Sequence, residues 1–279
     1  MSGKLYLVGT PIGNLGDFSP RAAETLRQAD FIAAEDTRVT LKLLNHFDIR
    51  KPLVSYYEHN KFASGEKIFQ RIAAGEKCAL VTDAGMPAIS DPGEDIVRLC
   101  AENGVAVETV PGPAALVSAL ALSGLPSGRF TFEGFLSVTA KTRRAHLESL
   151  RGEARTMIFY EAPHKLLKTL ADLAGAFGGD RPVAVCRELT KLHEEVLRTT
   201  LSDALAHFTA TPPKGEFVLV VGGAAPVSAP ETPPADALAL VARYRGEGYS
   251  LRESCKKASA ETGFSKNELY DLAVDSQNG

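Results

Sequence analysis

The 279-residue sequence predicts an α/β protein: a parallel-sheet N-terminal domain, a mixed-sheet second domain and a small C-terminal helical module. Three observations carry that expectation. Through 1–124, short apolar runs alternate with amphipathic segments, as strands joined by crossover helices do. Over 125–223, five strand-like runs share only three helical segments, and the last strands follow one another closely, which favours antiparallel pairing. A stretch rich in Gly, Ala, Pro and Ser over 222–234 then reads as a linker, and 235–279 holds three short helical patterns.

Each element has a local cause. Leu5-Tyr-Leu-Val8 reads as a buried strand. Ser19-Pro20 sets an N-cap before a proline at the first helical position, with Ala22, Leu26 and Ala29 on one face. Phe31-Ile-Ala-Ala34 is the second strand, and 37–47 is helical through Leu41, Leu44 and Phe47. A helix over 64–74 turns Ile68 and Ile72 inward and leads to the strand Cys78-Ala-Leu-Val81. Asp91-Pro-Gly-Glu94 has the form of a capping box, with Asp91 as the N-cap acceptor. The helix it opens stops at Asn103-Gly104; a strand over 105–110 and an Ala/Leu-rich helix over 113–123 follow, and Gly124-Leu-Pro-Ser-Gly128 marks a boundary. Beyond it the strand candidates are 130–135, 156–160, 182–186, 195–198 and 217–221, with helices near 141–150, 163–177 and 202–209. In the tail, Ser250-Leu-Arg-Glu253 and Ser265-Lys-Asn-Glu268 are capping boxes around a Thr262-Gly-Phe264 turn, a helix-turn-helix-like pattern. About 45 residues make a small core, so this module is expected to lean on the main body or on a second subunit.

Composition narrows the function. At 44% hydrophobic and 23% charged residues the chain is ordinary for a globular protein, and a formal charge of −3 excludes bulk polyanion binding: any nucleic acid must meet a local patch. Cys78, Cys100, Cys186 and Cys255 form no C-x-x-C pair and have no histidine at zinc spacing, so they read as buried reduced thiols and no metal site is expected. No secretion or lipidation signature opens the sequence and no run approaches the length of a membrane span, which together predict a cytoplasmic protein without a membrane partner.

Three glycine- and proline-rich loops follow strands and precede helices: Gly9-Thr-Pro-Ile-Gly13, 81–93, and Val110-Pro-Gly-Pro113. That places all three at the carboxyl edge of one sheet, where open α/β folds bind ligands. Gly9 and Gly13, lacking Cβ, would let a ligand approach the backbone. No Gly-Lys-Ser/Thr makes a Walker loop and no clean G-x-G-x-x-G is present. Asp91 is accounted for as a cap. Asp83 has no such structural reason and suits a ribose hydroxyl or a cationic ligand, with a turn-stabilising role as the alternative.

These loops resemble those of the tetrapyrrole-methylase superfamily of S-adenosylmethionine enzymes. Within it, the chain is similar to the cytidine 2′-O-methyltransferases of small-subunit ribosomal RNA. The resemblance is carried by Gly9-Thr-Pro-Ile-Gly-Asn-Leu-Gly-Asp17, Glu35-Asp-Thr-Arg38, the 81–93 loop, Val110-Pro-Gly-Pro113, Glu133-Gly-Phe-Leu136, Phe159-Tyr-Glu-Ala-Pro-His164, Cys186-Arg-Glu-Leu-Thr-Lys191 and Lys214-Gly-Glu-Phe217. It implies domains over 1–124 and 125–223 with the cofactor in the cleft between them, a helical module over 235–279, and a homodimer. Carried over by position, Pro11, Asp83, Met86, Ile89, Ala114 and Ala115 contact the cofactor, and Tyr160, Lys214, Gly215 and Glu216 close the site.

Methyl transfer to a ribose hydroxyl requires alignment with the donor and removal of a proton. Candidate bases are Glu35, Asp36, Glu133 and Glu188, with His164 and His193 as further options. An ion pair with Arg38 is the alternative for Glu35 or Asp36, and one with Arg187 for Glu188. The 30S particle as partner asks for a positive surface, for which Arg38 and the 141–155 stretch, with Lys141, Arg143, Arg144 and Arg151, are the candidates; a merely solvated helix face is the alternative there. Lys256, Lys257 and Lys266 add to this in the tail. Competing functions are methylation of a tetrapyrrole or a protein, and non-catalytic RNA binding in ribosome assembly.

Overall fold

The computed structural model describes residues 3–225 and 233–278, and the chain divides into two compact units, Met1–Ala224 and Ala225–Gly279. The first half of the first unit runs β1 (Lys4–Val8), α1 (Pro20–Gln28), β2 (Phe31–Ala34), α2 (Thr37–His46), β3 (Leu53–Ser55), α3 (Lys61–Ala73), β4 (Lys77–Val81), α4 (Glu94–Glu102), β5 (Ala106–Val110) and α5 (Ala115–Ser123). Its strands form a fully parallel sheet in the order β3-β2-β4-β1-β5. Every residue of β2 is buried, because helices cover both faces: Ile32 and Ala34 point to the α1 and α2 side with Leu26 and Leu44, while Phe31 and Ala33 point to the α3 and α4 side with Ile68 and Ile96. The edge strand β3 is not expected from the sequence. Three residues are too few for a period to show, and β3 exists only because Leu53 pairs with Ile32 of β2.

The rest of the unit runs β6 (Phe130–Phe135), α6 (Ala140–Ser149), β7 (Thr156–Glu161), α7 (Leu166–Phe177), β8 (Pro182–Arg187), β9 (Glu195–Thr200), α8 (Leu201–Ala210) and β10 (Phe217–Val221). The second sheet is mixed, as expected: in the order β6-β7-β10-β8-β9, only β6 and β7 are parallel. One face packs Phe159, Leu219 and Val185 against α7 and α8 through Leu170, Leu173 and Phe208. The other packs Ile158, Ala184, Val218 and Val220 against Ala119 and Leu120 of α5 and Ile12 of the first loop. Helix α5, which leaves the first sheet, is thus a cover of the second. All four cysteines are buried free thiols.

The loops at the carboxyl edge of the first sheet are tied to one another. Gly9 donates its N–H to Val110 O at 3.1 Å, and Thr10 pairs with Gly85 through two backbone hydrogen bonds of 2.9 and 3.1 Å. The buried Thr10 hydroxyl donates to Thr82 O at 3.0 Å. A Cβ on Gly9 would stand 2.7 Å from the Gly112 backbone and from Met86 Sδ; one on Gly13 would stand 2.5 Å from Lys191 Cγ. The expectation that these glycines clear a path for a ligand is therefore corrected: the space beside both is filled by protein.

The expected capping box at 91–94 is also corrected. Helix α4 starts at Glu94 with Gly93 as its N-cap and no capping side chain. Asp91 stands two residues before the cap and lies within hydrogen-bonding reach of Thr82 instead. The caps at Ser19 and Ser250 form as read.

The second unit holds α9 (Pro234–Gly246), α10 (Leu251–Thr262) and α11 (Lys266–Asn278) around Val241, Cys255, Ala258 and Leu269. Ser250 and Glu253 cap each other reciprocally, as do Ser265 and Glu268, and Gly263 turns the chain between the two helices with φ 76°. Part of the expected linker, 226–232, lies outside the described residues. Among the described residues, no helix is long and apolar enough to cross a membrane.

The contact of Gly9 on Gly112 makes a direct prediction. Gly9→Ala places a methyl against backbone that cannot move without dragging β5, so it should destabilise the protein by about 1–3 kcal/mol, read as a lower urea midpoint. An unchanged midpoint would show that the loops are not tightly packed.

Candidate active site

The three tied loops and the second sheet enclose a cleft of about 710 Å³. That lies within the roughly 300–1,000 Å³ typical of small-molecule and cofactor sites. The loop after β4 contributes Asp83, Met86, Ile89 and Asp91; the start of α5 contributes Ala114, Ala115 and Leu116. Across from them stand Phe135, Tyr160 and Glu161 of the second sheet, with Leu189 and Glu216 at one side. Much of the lining is apolar, and Ile89 and Phe135 are each 58% exposed, so the cleft presents bare hydrophobic surface to a ligand.

Tyr160 is fixed by its own environment. Its ring packs edge-on against Phe132 and Phe135, and its hydroxyl accepts the Leu116 N–H at 3.0 Å. Burial raises its pKa, which keeps the phenol neutral. It thereby ties the second sheet to the first turn of α5, which has no side-chain cap of its own.

Three carboxylates converge on Thr82 in this cleft. Its hydroxyl donates to Glu35 at 2.7 Å and lies in reach of Asp91, while Asp83 is the next residue along the chain. Asp83 accepts the Asp36 N–H at 3.1 Å, a structural duty that its place in the sequence does not announce. Loss of water raises the carboxyl pKa of Asp83 and of Asp91, and the Glu35 charge pushes both further up. Such a cluster disfavours its own ionisation and is relieved by a bound cation.

The four candidate bases separate clearly. Only Glu35 lines the cleft. Asp36 caps α2 through the Arg38 N–H at 2.8 Å and grips the Arg38 guanidinium at 3.0 and 2.6 Å, which holds its carboxyl down at about 2. So weak a base is poorly matched to proton removal near neutrality. Glu133, on β6, stands 2.8 Å from His146 of α6 and does not line the cleft. Glu188, in the left-handed region at φ 50°, bonds Lys191 and the Glu216 N–H at 2.9 Å each, and its carboxyl is lowered by them rather than by Arg187 alone. His164 and His193 are not among the lining residues.

Of the residues expected at the cofactor, Asp83, Met86 and Ile89 line the cleft, as do Ala114, Ala115, Tyr160 and Glu216. Pro11, Lys214 and Gly215 do not. Pro11 faces a neighbouring pocket. The Lys214 carbonyl accepts from Arg187 Nε at 2.6 Å, and Gly215 presses its backbone on Glu188. Glu161, within a recognised motif but not singled out, lines the cleft from the end of β7. It is held by the Thr169 hydroxyl, which in turn accepts from Arg143 at 2.8 Å, and nothing in a linear sequence links positions so far apart.

The basic stretch at 141–155 is broken up by the fold. Arg143 is 6% exposed and is spent on Thr169 and Asp172, so its expected place on an RNA-binding surface is corrected. Arg151 pairs with Glu148 at 2.9 Å and Arg155 with Glu153 at 2.7 Å. Lys141 and Arg144 remain exposed on α6.

Residues 4–205 match the family of Tetrapyrrole (Corrin/Porphyrin) Methylases. The chain is 46% identical to the ribosomal RNA small subunit methyltransferase I of Synechocystis sp., with 98% of each chain covered. It is 44% identical to the protein of that name from Bacillus subtilis, covering 96% of this chain and 93% of the relative. With the one from Thermotoga maritima it shares 49% identity over 79% of this chain and 99% of the relative. Among solved structures, it is similar to a uroporphyrin-III-C-methyltransferase from Thermus thermophilus, with a TM-score of 0.56 and 21% identity over 79% of this chain and 94% of that one. Diphthine synthase gives a TM-score of 0.60 at 16% identity, covering 78% and 90%. At those identities the two structures establish the fold alone.

Two outcomes follow from the geometry. Arg143→Met breaks a largely buried ion pair and should cost about 2 kcal/mol, a fall of roughly 4–8 °C in melting temperature, whereas Arg144→Met should shift it by no more than about 2 °C. Equal shifts would contradict a structural role for Arg143. For Asp91 the folded carboxyl pKa lies above its unfolded value, so its charge opposes folding above the folded pKa, and the penalty fades as pH falls through that pKa. Asp91→Asn should therefore raise the melting temperature of the cofactor-free protein near pH 8, with the gain shrinking toward about pH 4. Thermal scans across that range that show a constant or negative difference would reject the assignment.

Proposed function

Because the chain belongs to the tetrapyrrole methylase family and is a methyltransferase, we propose that it transfers the methyl group of S-adenosylmethionine to the ribose 2′-hydroxyl of a cytidine in small-subunit ribosomal RNA. The observation that carries this reading is similarity over nearly the whole chain to proteins named ribosomal RNA small subunit methyltransferase I, at 46% identity for the Synechocystis sp. relative. Its substrate is the assembled or nearly assembled small subunit, its setting the cytoplasm, and its working form a homodimer.

The cleft suits that cofactor on two grounds: it is large enough, and its carboxylates favour a cationic ligand. When bound, the cofactor would supply an electrophilic methyl group carried on a sulfonium sulfur, with the sulfide as leaving group. Met86, Ile89, Ala114 and Ala115 provide the apolar wall that excludes water from the reacting groups. Asp83 and Asp91 supply negative potential toward the cation. Tyr160 holds the second sheet against the start of α5, and Glu216 closes one side. Glu35, fixed by Thr82, takes the hydroxyl proton. The domains of this reading are 1–124 and 125–223 around the cleft and the helical module at 235–279.

The test is transfer of tritium from labelled S-adenosylmethionine. 30S particles should incorporate label in ribosomal RNA at a 2′-O-methylcytidine after nuclease digestion. Label in a tetrapyrrole or a protein instead, or none at all, would reject the proposal. Glu35→Gln should lower kcat by about 10²-fold with cofactor affinity retained, while Asp36→Asn, which keeps the helix cap, should stay close to wild type.

A further inference from the structure

Beside the main cleft lies a second pocket of about 310 Å³. Resting on the ribosomal RNA reading above, we propose that this pocket receives the base of the target nucleotide, turned out of the RNA strand.

Its position is the first argument. Thr10, Pro11 and Leu15 of the first loop form one wall, and Val39, Thr40 and Leu43 of α2 the other. The floor is Thr82 and Asp83, which also line the main cleft. A base seated here leaves its own ribose at that shared floor, beside Glu35, whose carboxylate is bonded to Thr82.

The lining suits a base. Enzymes that act on single nucleotides hold the extruded base between apolar or aromatic side chains and read its edge by hydrogen bonds. Pro11, Leu15, Val39 and Leu43 offer the apolar surfaces, and Leu15 and Val39 are left 43% and 38% exposed. Thr40 is 3% exposed, and its hydroxyl has no hydrogen-bond partner among the described residues. A buried hydroxyl left unsatisfied is costly, and the edge of a base would complete it. At 310 Å³ the pocket is less than half the 710 Å³ of the main cleft, in keeping with one base rather than a whole cofactor.

The rim supplies charge for the backbone of the same strand. Arg38, Lys42 and His46 follow one another at every fourth position, so they share one side of α2. Lys42 and His46 line the pocket, and the Arg38 side chain is 88% exposed while Asp36 fixes its direction. Phosphates on either side of an extruded nucleotide would meet these groups. Two sequence-derived residues thereby gain a place: Pro11, expected at the cofactor, lies here, and Arg38 stands at the rim.

The experiment uses the full-length protein, 30S particles and labelled S-adenosylmethionine. Val39→Trp fills the pocket from its mouth and should lower kcat/KM for the particle at least about tenfold, with affinity for S-adenosylhomocysteine, measured by calorimetry, unchanged. Leu15→Trp, on the opposite wall, should do the same and serves if Val39→Trp fails to bind the cofactor product. Thr40→Val keeps shape and removes the hydroxyl; it should lower kcat/KM by about threefold to tenfold. Leu41→Trp, on the same helix but outside the pocket, should leave it unchanged. Label from the wild type with undiminished turnover by a pocket-filled variant that binds S-adenosylhomocysteine normally overturns this inference alone. No label from the wild type overturns the ribosomal RNA reading and this inference with it.

Discussion

The rest of the site depends on two glycine backbones touching. Gly9 and Gly112 approach so closely that a Cβ on either would stand 2.7–2.8 Å from the other's backbone. That contact draws the loops after β1 and β5 together, and the Thr10–Gly85 pairing adds the loop after β4. Backbone hydrogen bonds and close packing thus set where Asp83, Met86 and Asp91 stand. The ligand cleft is the space left over once the loops have satisfied one another.

Charge is divided with the same economy. Many charged side chains of the first unit are paired: Asp36 with Arg38, Glu153 with Arg155, Asp172 with Arg143, Glu188 with Lys191. Glu35, Asp83 and Asp91 gather at the cleft outside any ion pair among the described residues, and Lys42, Lys141 and Arg144 are exposed and likewise outside one. A polyanion would therefore meet short groups of cations, such as Arg38 and Lys42 on α2, rather than a broad basic face, consistent with a chain whose formal charge is −3. Under the proposed function, recognition would rest on shape and on the fit of a single nucleotide more than on bulk attraction.

The second unit has its own hydrophobic core, with Cys255, Ala258 and Leu269 fully buried, and two reciprocal capping boxes. Those devices are local, which is why they could be read from residues three apart. Lys257 of α10 lies over the rings of Tyr244 in α9 and Tyr249 in the turn after it, a contact between segments that periodicity does not announce.

By itself the sequence determined the α/β class, the parallel and mixed sheets, nearly every element, and the three loops at one sheet edge. These follow from apolar period, caps and breakers, which act over a few residues. Tertiary structure alone decided the edge strand β3, the true start of α4, and the fate of each candidate. Glu35 and Asp36 are adjacent, yet one faces the cleft and the other is bound to Arg38. Asp91, read as a cap, became a cleft carboxylate, and Arg143, read as surface, became a buried tie. For Glu35 and Arg143 the physical reason is the same: composition and spacing say that a charge exists, but its partner is supplied by a segment 47 or 26 positions away, brought near only by the tertiary fold.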